Sequence, residues 1–137
     1  MTRRFLDTNV LLYSITGNPA DAAKRDRAIT IIDEKDNALS VQVLQEFYVQ
    51  ATRPTRRDAI SHETAAELIR RWLRFAVQDI TVAVMSEALR IKAIHRLSYW
   101  DAAIVAAARA LGCRAVYSED MSHGRDIEGT MIVNPFL

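Results

Sequence analysis

The chain has 137 residues, of which 50% are hydrophobic and 26% charged, a composition that excludes a disordered or fibrous protein. Its 18 basic and 17 acidic residues leave a net charge of +1. This balance argues against a polybasic protein that coats nucleic acid or a membrane. The single cysteine, Cys113, excludes an internal disulfide and a cysteine-based metal cluster.

No stretch of the sequence approaches the ~20 uninterrupted apolar residues that span a bilayer. The apolar run over residues 5–15 is broken by Asp7 and Asn9, which a secretory signal would not contain. We therefore expect a soluble, cytoplasmic protein without a membrane partner, in which residues 1–137 form a single domain.

Short apolar runs alternate along the chain with segments of helical periodicity. The predicted strands are residues 5–6, 38–41, 79–82, 114–117 and 131–133. The predicted helices are residues 19–33, 42–52, 61–75, 86–97 and 98–112. Such alternation predicts an α/β protein with three layers, in which helices cover both faces of a mostly parallel five-stranded sheet.

Two acidic residues follow predicted strands at their carboxyl ends. Asp7 comes directly after the first strand, and Asp120 closes the tripeptide Ser118-Glu119-Asp120 after the fourth. Each has an ordinary structural explanation, because Asp7 could cap a helical segment over residues 9–15 and Asp120 could belong to a turn.

Two further acids lie on predicted helices. Glu46 lies in the second turn after strand two, about 60° outside the apolar arc of that helix. Asp101 lies about 60° from Ile104 on the helical wheel, within the face that points to the core. A buried carboxylate is costly unless a helix amino terminus or a cation compensates its charge.

The predicted topology brings these four acids together. The carboxyl ends of parallel strands share one edge of the sheet, and the helices that carry Glu46 and Asp101 begin at that edge. Carboxylates gathered in this way favour an oxygen-liganded cation such as Mg²⁺ or Mn²⁺. The histidines lack the spacing of zinc ligands, so we interpret them as surface residues (His62, His95 and His123).

Four segments resemble, in chain order, the motifs of PIN-domain ribonucleases, in particular the small stand-alone members such as VapC-type toxins. They are residues 5–13 (FLDTNVLLY), 42–52 (QVLQEFYVQAT), 99–108 (YWDAAIVAAA) and 116–120 (VYSED). The resemblance covers essentially the whole chain. It implies a sheet ordered 3-2-1-4-5 and an endoribonuclease that depends on Mg²⁺ or Mn²⁺, often dimeric and often inhibited by a cognate antitoxin.

The resemblance also implies roles for individual residues. Asp7, Glu46, Asp101 and Asp120 would be catalytic and would ligate the metal, and Asn9 and Ser118 would orient the carboxylates or water. Many members of the family have a single acid after the serine or threonine, whereas Glu119 and Asp120 compete here. The spacing from Ser118 favours Asp120.

Two other functions compete with this interpretation. An aspartyl-phosphate enzyme would place a second aspartate two residues after Asp7, where this chain has Asn9, and a receiver domain would have a lysine where Asn134 precedes Pro135. The remaining alternative is a catalytically silent PIN-like module that binds another protein. Four intact acids argue against it.

Two basic clusters suggest partners. Arg53, Arg56 and Arg57 follow the helix of Glu46 and would either hold RNA phosphates or form a solvated loop. Trp72 lies beside three arginines (Arg70, Arg71 and Arg74), and would either contribute to a surface for a second copy or an antitoxin, or belong to the core.

Overall fold

The computed structural model describes residues 3–137. Its strands are β1 (Arg4–Leu6), β2 (Asn37–Ser40), β3 (Ala76–Gln78), β4 (Ala115–Tyr117), β5 (Asp126–Ile127) and β6 (Thr130–Val133). Its helices are α1 (Thr8–Tyr13), α2 (Ala22–Ile32), α3 (Val41–Ala51), α4 (His62–Trp72), α5 (Val82–His95) and α6 (Tyr99–Ala110). A 3-10 turn at Pro19–Asp21 precedes α2.

One sheet contains all six strands in the order β3-β2-β1-β4-β6-β5. The first five strands in this order run parallel, and β5 pairs antiparallel with β6 at the edge. The predicted three-layer α/β class and the strand order are thereby confirmed, with β6 as the predicted fifth strand. The sheet has one strand more than predicted.

The additional strand belongs to a tight hairpin. Glu128 and Gly129 connect β5 to β6 with φ angles of +53° and +94°. Two consecutive residues with positive φ are typical of the turn that joins antiparallel strands through a two-residue loop. A strand as short as β5 leaves no periodic pattern, which is why the sequence did not reveal it.

The third strand was predicted at the wrong position. Residues 79–81 form a loop and Val82 is the first residue of α5; Ile80 and Val82 are 64% and 75% exposed. The hydroxyl of Thr81 accepts a hydrogen bond from the Val84 amide at 3.1 Å and thereby caps α5. The helix consequently begins one turn before the predicted residue 86, and the strand is Ala76–Gln78.

The core depends on a close approach between α6 and the sheet. Residues 102–108 are buried without interruption, and five of these seven side chains are alanine methyl groups. Helix α5 packs along α6 on this side of the sheet. Small side chains allow the two layers to pack tightly.

Trp72 belongs to the core. Its side chain is 4% exposed and contacts the ring of Phe47 edge-on, with centroids 4.7 Å apart. The neighbouring guanidinium groups of Arg70 and Arg71 lie in solvent. The alternative in which Trp72 forms a partner surface is therefore excluded.

None of the helices within residues 3–137 combines the length and the apolar character needed to cross a membrane.

Candidate active site

Asp7 joins β1 to α1 and does two things there. Its Oδ1 accepts a hydrogen bond from the Thr8 amide at 2.7 Å and caps α1, as the structural explanation predicted. Its Oδ2 accepts one from the hydroxyl of Ser118 at 2.7 Å, across the sheet edge. Only 7% of Asp7 is exposed. Burial, together with the negative charges of Asp120 and Glu46, raises the pKa of Asp7 to about 6.

Glu46 reaches the same region from α3. Its Oε2 accepts a hydrogen bond from the hydroxyl of Thr8 at 2.9 Å, and its Oε1 accepts one from the Gln42 amide group at 3.0 Å. Gln42 lies one helical turn before Glu46, so the two side chains share a face. Neither Thr8 nor Gln42 was singled out in the sequence, although the four-residue spacing of Gln42 and Glu46 was a usable signal.

Asp101 lies in the first turn of α6, which Ser98 caps by accepting a hydrogen bond from the Asp101 amide at 3.1 Å. Its carboxylate is half-buried and accepts no hydrogen bond from any other group in residues 3–137. The helical wheel predicted a core-facing position. The first turn of α6 lies at the sheet edge, so the face that points into the core further along the helix opens here onto a cleft.

Asp120 and Glu119 point in different directions. Asp120 Oδ2 accepts a hydrogen bond from the amide group of Asn9 at 3.2 Å. Glu119 instead pairs with Lys24 at 2.6 Å and accepts a hydrogen bond from the hydroxyl of Tyr13 at 2.6 Å. Although burial raises it, these two contacts lower the pKa of Glu119 overall. Asp120, the acid favoured by spacing, is the one that shares a site with Asp7.

Asn9 and Ser118 hold this arrangement in place. The amide group of Asn9 also lies 3.3 Å from Ser118 Oγ, and its Oδ1 accepts a hydrogen bond from the Glu119 amide at 3.2 Å. Ser118 is fully buried, and its Oγ accepts a hydrogen bond from the Asp120 amide at 3.2 Å while donating to Asp7. Two side chains therefore connect the acids that end β1 and β4.

The four acids line one cleft of about 200 Å³ at the carboxyl edge of the sheet. The other lining residues are Thr8, Asn9, Leu12, Gln42, Gln50, Trp100 and Ile104. The carboxylates surround this space without converging on one point. Within the described chain, no three Asp, Glu, His or Cys side chains lie close enough together to ligate a single ion.

The histidines lie outside the cleft. His62 contacts the hydroxyl of Tyr48 at 2.8 Å, His95 contacts Glu128 at 2.6 Å, and His123 accepts a hydrogen bond from the Asn134 amide at 2.9 Å. The cleft therefore presents oxygen ligands, which hard divalent cations prefer.

The sequence profile of the PIN domain matches residues 4–125. The chain belongs to the PIN-domain family. No curated protein sequence matches it significantly.

Three solved structures illustrate the similarity of fold. A toxin–antitoxin complex from Klebsiella pneumoniae gives a TM-score of 0.71 at 18% identity, over 96% of this chain and 97% of that one. VapC20 of Mycobacterium tuberculosis, a sarcin-ricin loop cleaving toxin, gives 0.65 at 24% identity, over 85% and 89%. FitAcB from Neisseria gonorrhoeae gives 0.67 at 17% identity, over 97% and 98%. At identities this low, the structural similarity establishes the fold alone.

In this PIN domain the three arginines after α3 differ from one another. Arg56 is half-buried and pairs with Asp58 at 2.9 Å, and Asp58 also accepts a hydrogen bond from the Gly17 amide at 2.8 Å. Arg53 and Arg57 are exposed and form no ion pair within residues 3–137. Arg53 lines a shallow depression with Glu46 and Gln50, which also line the acidic cleft. Arg56 is thus part of the loop's own structure.

Proposed function

We propose that this PIN domain is an endoribonuclease that hydrolyses RNA phosphodiester bonds and depends on Mg²⁺ or Mn²⁺. The observation that carries the proposal is the meeting of Asp7, Glu46, Asp101 and Asp120 in one cleft, although they come from four separate segments of the chain. Structural needs explain Asp7 as a helix cap, but they do not explain an uncompensated Asp101 beside it.

The oxygen donors of the cleft suit a hard divalent cation, and the four carboxylates would have to draw together to share a single ion. A cation between the acids would offset the repulsion and burial that raise the pKa of Asp7. Asp101 has both carboxylate oxygens free of protein donors, and Asp7, Glu46 and Asp120 would contribute the other ligands. When bound, such an ion supplies positive charge that lowers the pKa of a water and stabilises the leaving oxygen of a phosphodiester.

The chain's own groups position these ligands. Ser118 orients Asp7, Asn9 orients Asp120, and Thr8 with Gln42 orients Glu46. Outer hydrogen bonds of this kind fix the direction of ligand lone pairs. The unengaged oxygens of Asp101 can accept the proton of the attacking water.

We extend the proposal to the biological role, a toxin that a cognate antitoxin inhibits in the cytoplasm, where RNA is found. The fold shared with a toxin–antitoxin complex supports it. Expression of the chain should arrest bacterial growth, and co-expression of a small DNA-binding protein from the neighbouring reading frame should restore it. We also propose a homodimer, and sedimentation at micromolar concentration that gives a monomer alone would reject it.

A catalytically silent PIN-like module that binds another protein is the second candidate. It is favoured by the spread of the four carboxylates, since no three of the described Asp, Glu, His and Cys side chains converge on one point. In that case divalent ions should leave the melting temperature unchanged.

The substitution Asp101→Asn tests the proposal, with Asp33→Asn as the matched control. Asp33 is an exposed acid at the end of α2, so both variants lose one negative charge. Because the folded state alone would bind the ion, Mn²⁺ should raise the melting temperature of the wild type and of Asp33→Asn. The melting temperature of Asp101→Asn should rise much less on adding Mn²⁺, and this variant should cleave a mixed single-stranded RNA orders of magnitude more slowly.

The metal-free stability distinguishes a missing ligand from a damaged fold. Removal of one of four clustered carboxylates relieves repulsion, so Asp101→Asn without metal should melt at the wild-type temperature or above it. If Asp101→Asn cleaves RNA at the wild-type rate, the proposed site is wrong.

A further inference from the structure

A second concavity adjoins the acidic cleft. It is a groove of about 420 Å³ between α5, α6 and the carboxyl end of β2. Trp100 and Gln42 line both the groove and the cleft, so the two spaces meet at these side chains. The volume and the mostly apolar wall with a few polar groups are typical of a site for a small organic ligand or part of a larger one.

Trp100 is the most unusual residue of this wall. It directly precedes Asp101 in the first turn of α6, and its side chain is 64% exposed. Tyr99 packs edge-on against it, with ring centroids 5.1 Å apart, so one side of the indole is supported by the protein. Ile80 and Met85 of the same wall are also exposed, so Trp100 belongs to an apolar patch beside a cluster of acids, which is typical of a binding surface.

The neighbouring groups narrow the chemistry of that ligand. The side chains of Gln42 and Gln45 offer amide donors and acceptors along the groove. Arg53 lines the next depression with Gln45 and Glu46, of which Gln45 also lines the groove and Glu46 the acidic cleft. A cationic group, the carboxylates and an exposed indole bordered by amides therefore lie in adjoining depressions of one surface.

We propose that Trp100 is a stacking platform for one nucleobase of a single-stranded RNA whose phosphate lies at the acidic cleft. The inference rests on the proposed function and adds the form of the substrate to it. The face of a base is accessible for stacking only where the strand is unpaired, and stacking on an aromatic ring tolerates every base. The site thus selects unpaired RNA and positions the phosphodiester next to the base it holds.

The two tryptophans allow a direct optical test. Trp72 is 4% exposed in the core and Trp100 is 64% exposed in the groove, so Trp72→Phe leaves the groove tryptophan as the single reporter. A single-stranded RNA tetranucleotide in EDTA should quench this emission in a saturable manner. A matched tetranucleotide whose sugars carry no bases has the same phosphates and should leave the emission unchanged. Quenching by both strands, or by neither, would overturn the stacking role.

Activity gives a second readout with Mg²⁺ present. Trp100→Ala should lower kcat/KM on single-stranded RNA about 5- to 100-fold, mainly through KM, and Trp100→Phe should recover most of the loss. The gain in melting temperature on adding Mn²⁺ should be unchanged, because the carboxylates remain. An unchanged KM in Trp100→Ala, with cleavage intact, would reject the platform and leave the proposed nuclease standing.

The remaining outcomes are equally distinct. If the wild type neither binds nor cleaves RNA, the proposed function and the platform fail together. If a second copy of the chain covers the groove instead, Trp100 will be shielded from acrylamide without RNA, increasingly so as protein concentration rises. That result would also overturn the platform.

Discussion

Two carboxyl groups of this protein have opposite electrostatic surroundings. Asp7 is buried beside other acids, and its pKa is raised to about 6. Glu128 lies on the β5–β6 turn at the surface, where contacts to Arg90 at 2.9 Å and His95 at 2.6 Å lower its pKa to about 2. The surroundings of Asp7 concentrate negative charge, whereas those of Glu128 pair negative with positive charge.

The two groups of contacts serve different purposes: those of Glu128 stabilise the fold, and those around Asp7 leave charge available for a ligand. The contacts of Glu128 with α5, and with Arg109 on α6, connect the terminal hairpin to two helices. The acids around Asp7 form no ion pair with any residue from 3 to 137, so the folded protein carries their repulsion. Uncompensated charge in a cleft is the usual mark of a site that binds a ligand.

The largest effect on RNA cleavage should come from Asp120, one of two adjacent acids of which only Asp120 lies in the acidic cleft. Asp120→Asn should reduce RNA cleavage by more than the roughly 10- to 100-fold loss typical of an outer-shell partner. Glu119→Gln, one residue away, should retain nearly all activity because its carboxylate faces Lys24. Comparable losses in both variants, measured under identical Mg²⁺, would show that the adjacent acids are not functionally distinct.

Removing the buried charge should stabilise the metal-free protein. Above pH 6 Asp7 is ionised in both folded and unfolded chains, and the buried charge destabilises the folded one. As the pH falls from 6 towards 4 the folded state takes up its proton first, so the cost disappears. Asp7→Asn in EDTA should therefore raise the free energy of unfolding by about 1 to 3 kcal/mol at pH 7.5.

Urea denaturation across this pH range measures that difference. The gain should shrink steadily between pH 6 and pH 4, since the wild type then becomes neutral as well. A gain of constant size would mean that the substitution acts through packing and that the charge at Asp7 has no energetic cost.

A smaller effect should reveal whether positive charge near the acids serves RNA. Arg53→Ala combined with Arg57→Ala should lower the salt dependence of single-stranded RNA binding, by a slope of about 0.7 for each phosphate that the variant no longer binds. Arg70→Ala with Arg71→Ala removes the same charge from α4, outside the cleft, and should leave the slope as it is. If both double variants bind RNA with the same salt dependence, Arg53 and Arg57 do not contact RNA phosphates and are only solvated surface residues.

Substitution of Glu128, the carboxylate paired with Arg90 and His95, should give the smallest effect. Glu128→Gln should lower the melting temperature in low salt, and the difference should narrow in ~1 M NaCl because exposed ion pairs are screened. The stabilisation should be present above about pH 4.5 and lost as the pH falls towards 2, because the folded pKa is depressed. Glu67→Gln, whose contacts stay within α4, should change less.

Much of the fold could be predicted because the chain marks the ends of its elements clearly. Ser61 and Ser98, the predicted first residues of two helices, cap α4 and α6, and Gly112, the predicted last residue of the second helix, has the positive φ of +71° that a helix end favours. The third strand failed because Ala76–Gln78 carries little apolar character, whereas the exposed Ile80-Thr81-Val82 has the composition of a strand. Local preference pointed to the wrong segment there.

The site shows where sequence reasoning stops. Topology alone placed four acids at one edge, since strand ends and helix starts meet there. The choice between Glu119 and Asp120 depends on Lys24 and Asn9, which lie far away in the chain. Likewise, the commitment of Arg56 to Asp58 and the exposure of Trp100 are tertiary features without a local pattern.

The way β4 is anchored affects when the site can form. The Ser118 amide donates a hydrogen bond to the Val133 carbonyl at 2.9 Å, so the segment that carries Asp120 is held by β6 as well as by β1 and gains its last backbone contact when β6 pairs. Ribosomes release a chain from its amino terminus, and domains fold as units. A nascent chain would therefore expose Asp7, Glu46 and Asp101 long before it could assemble the cleft. Under the proposed function, this order would keep the chain from cleaving nearby RNA during its own synthesis.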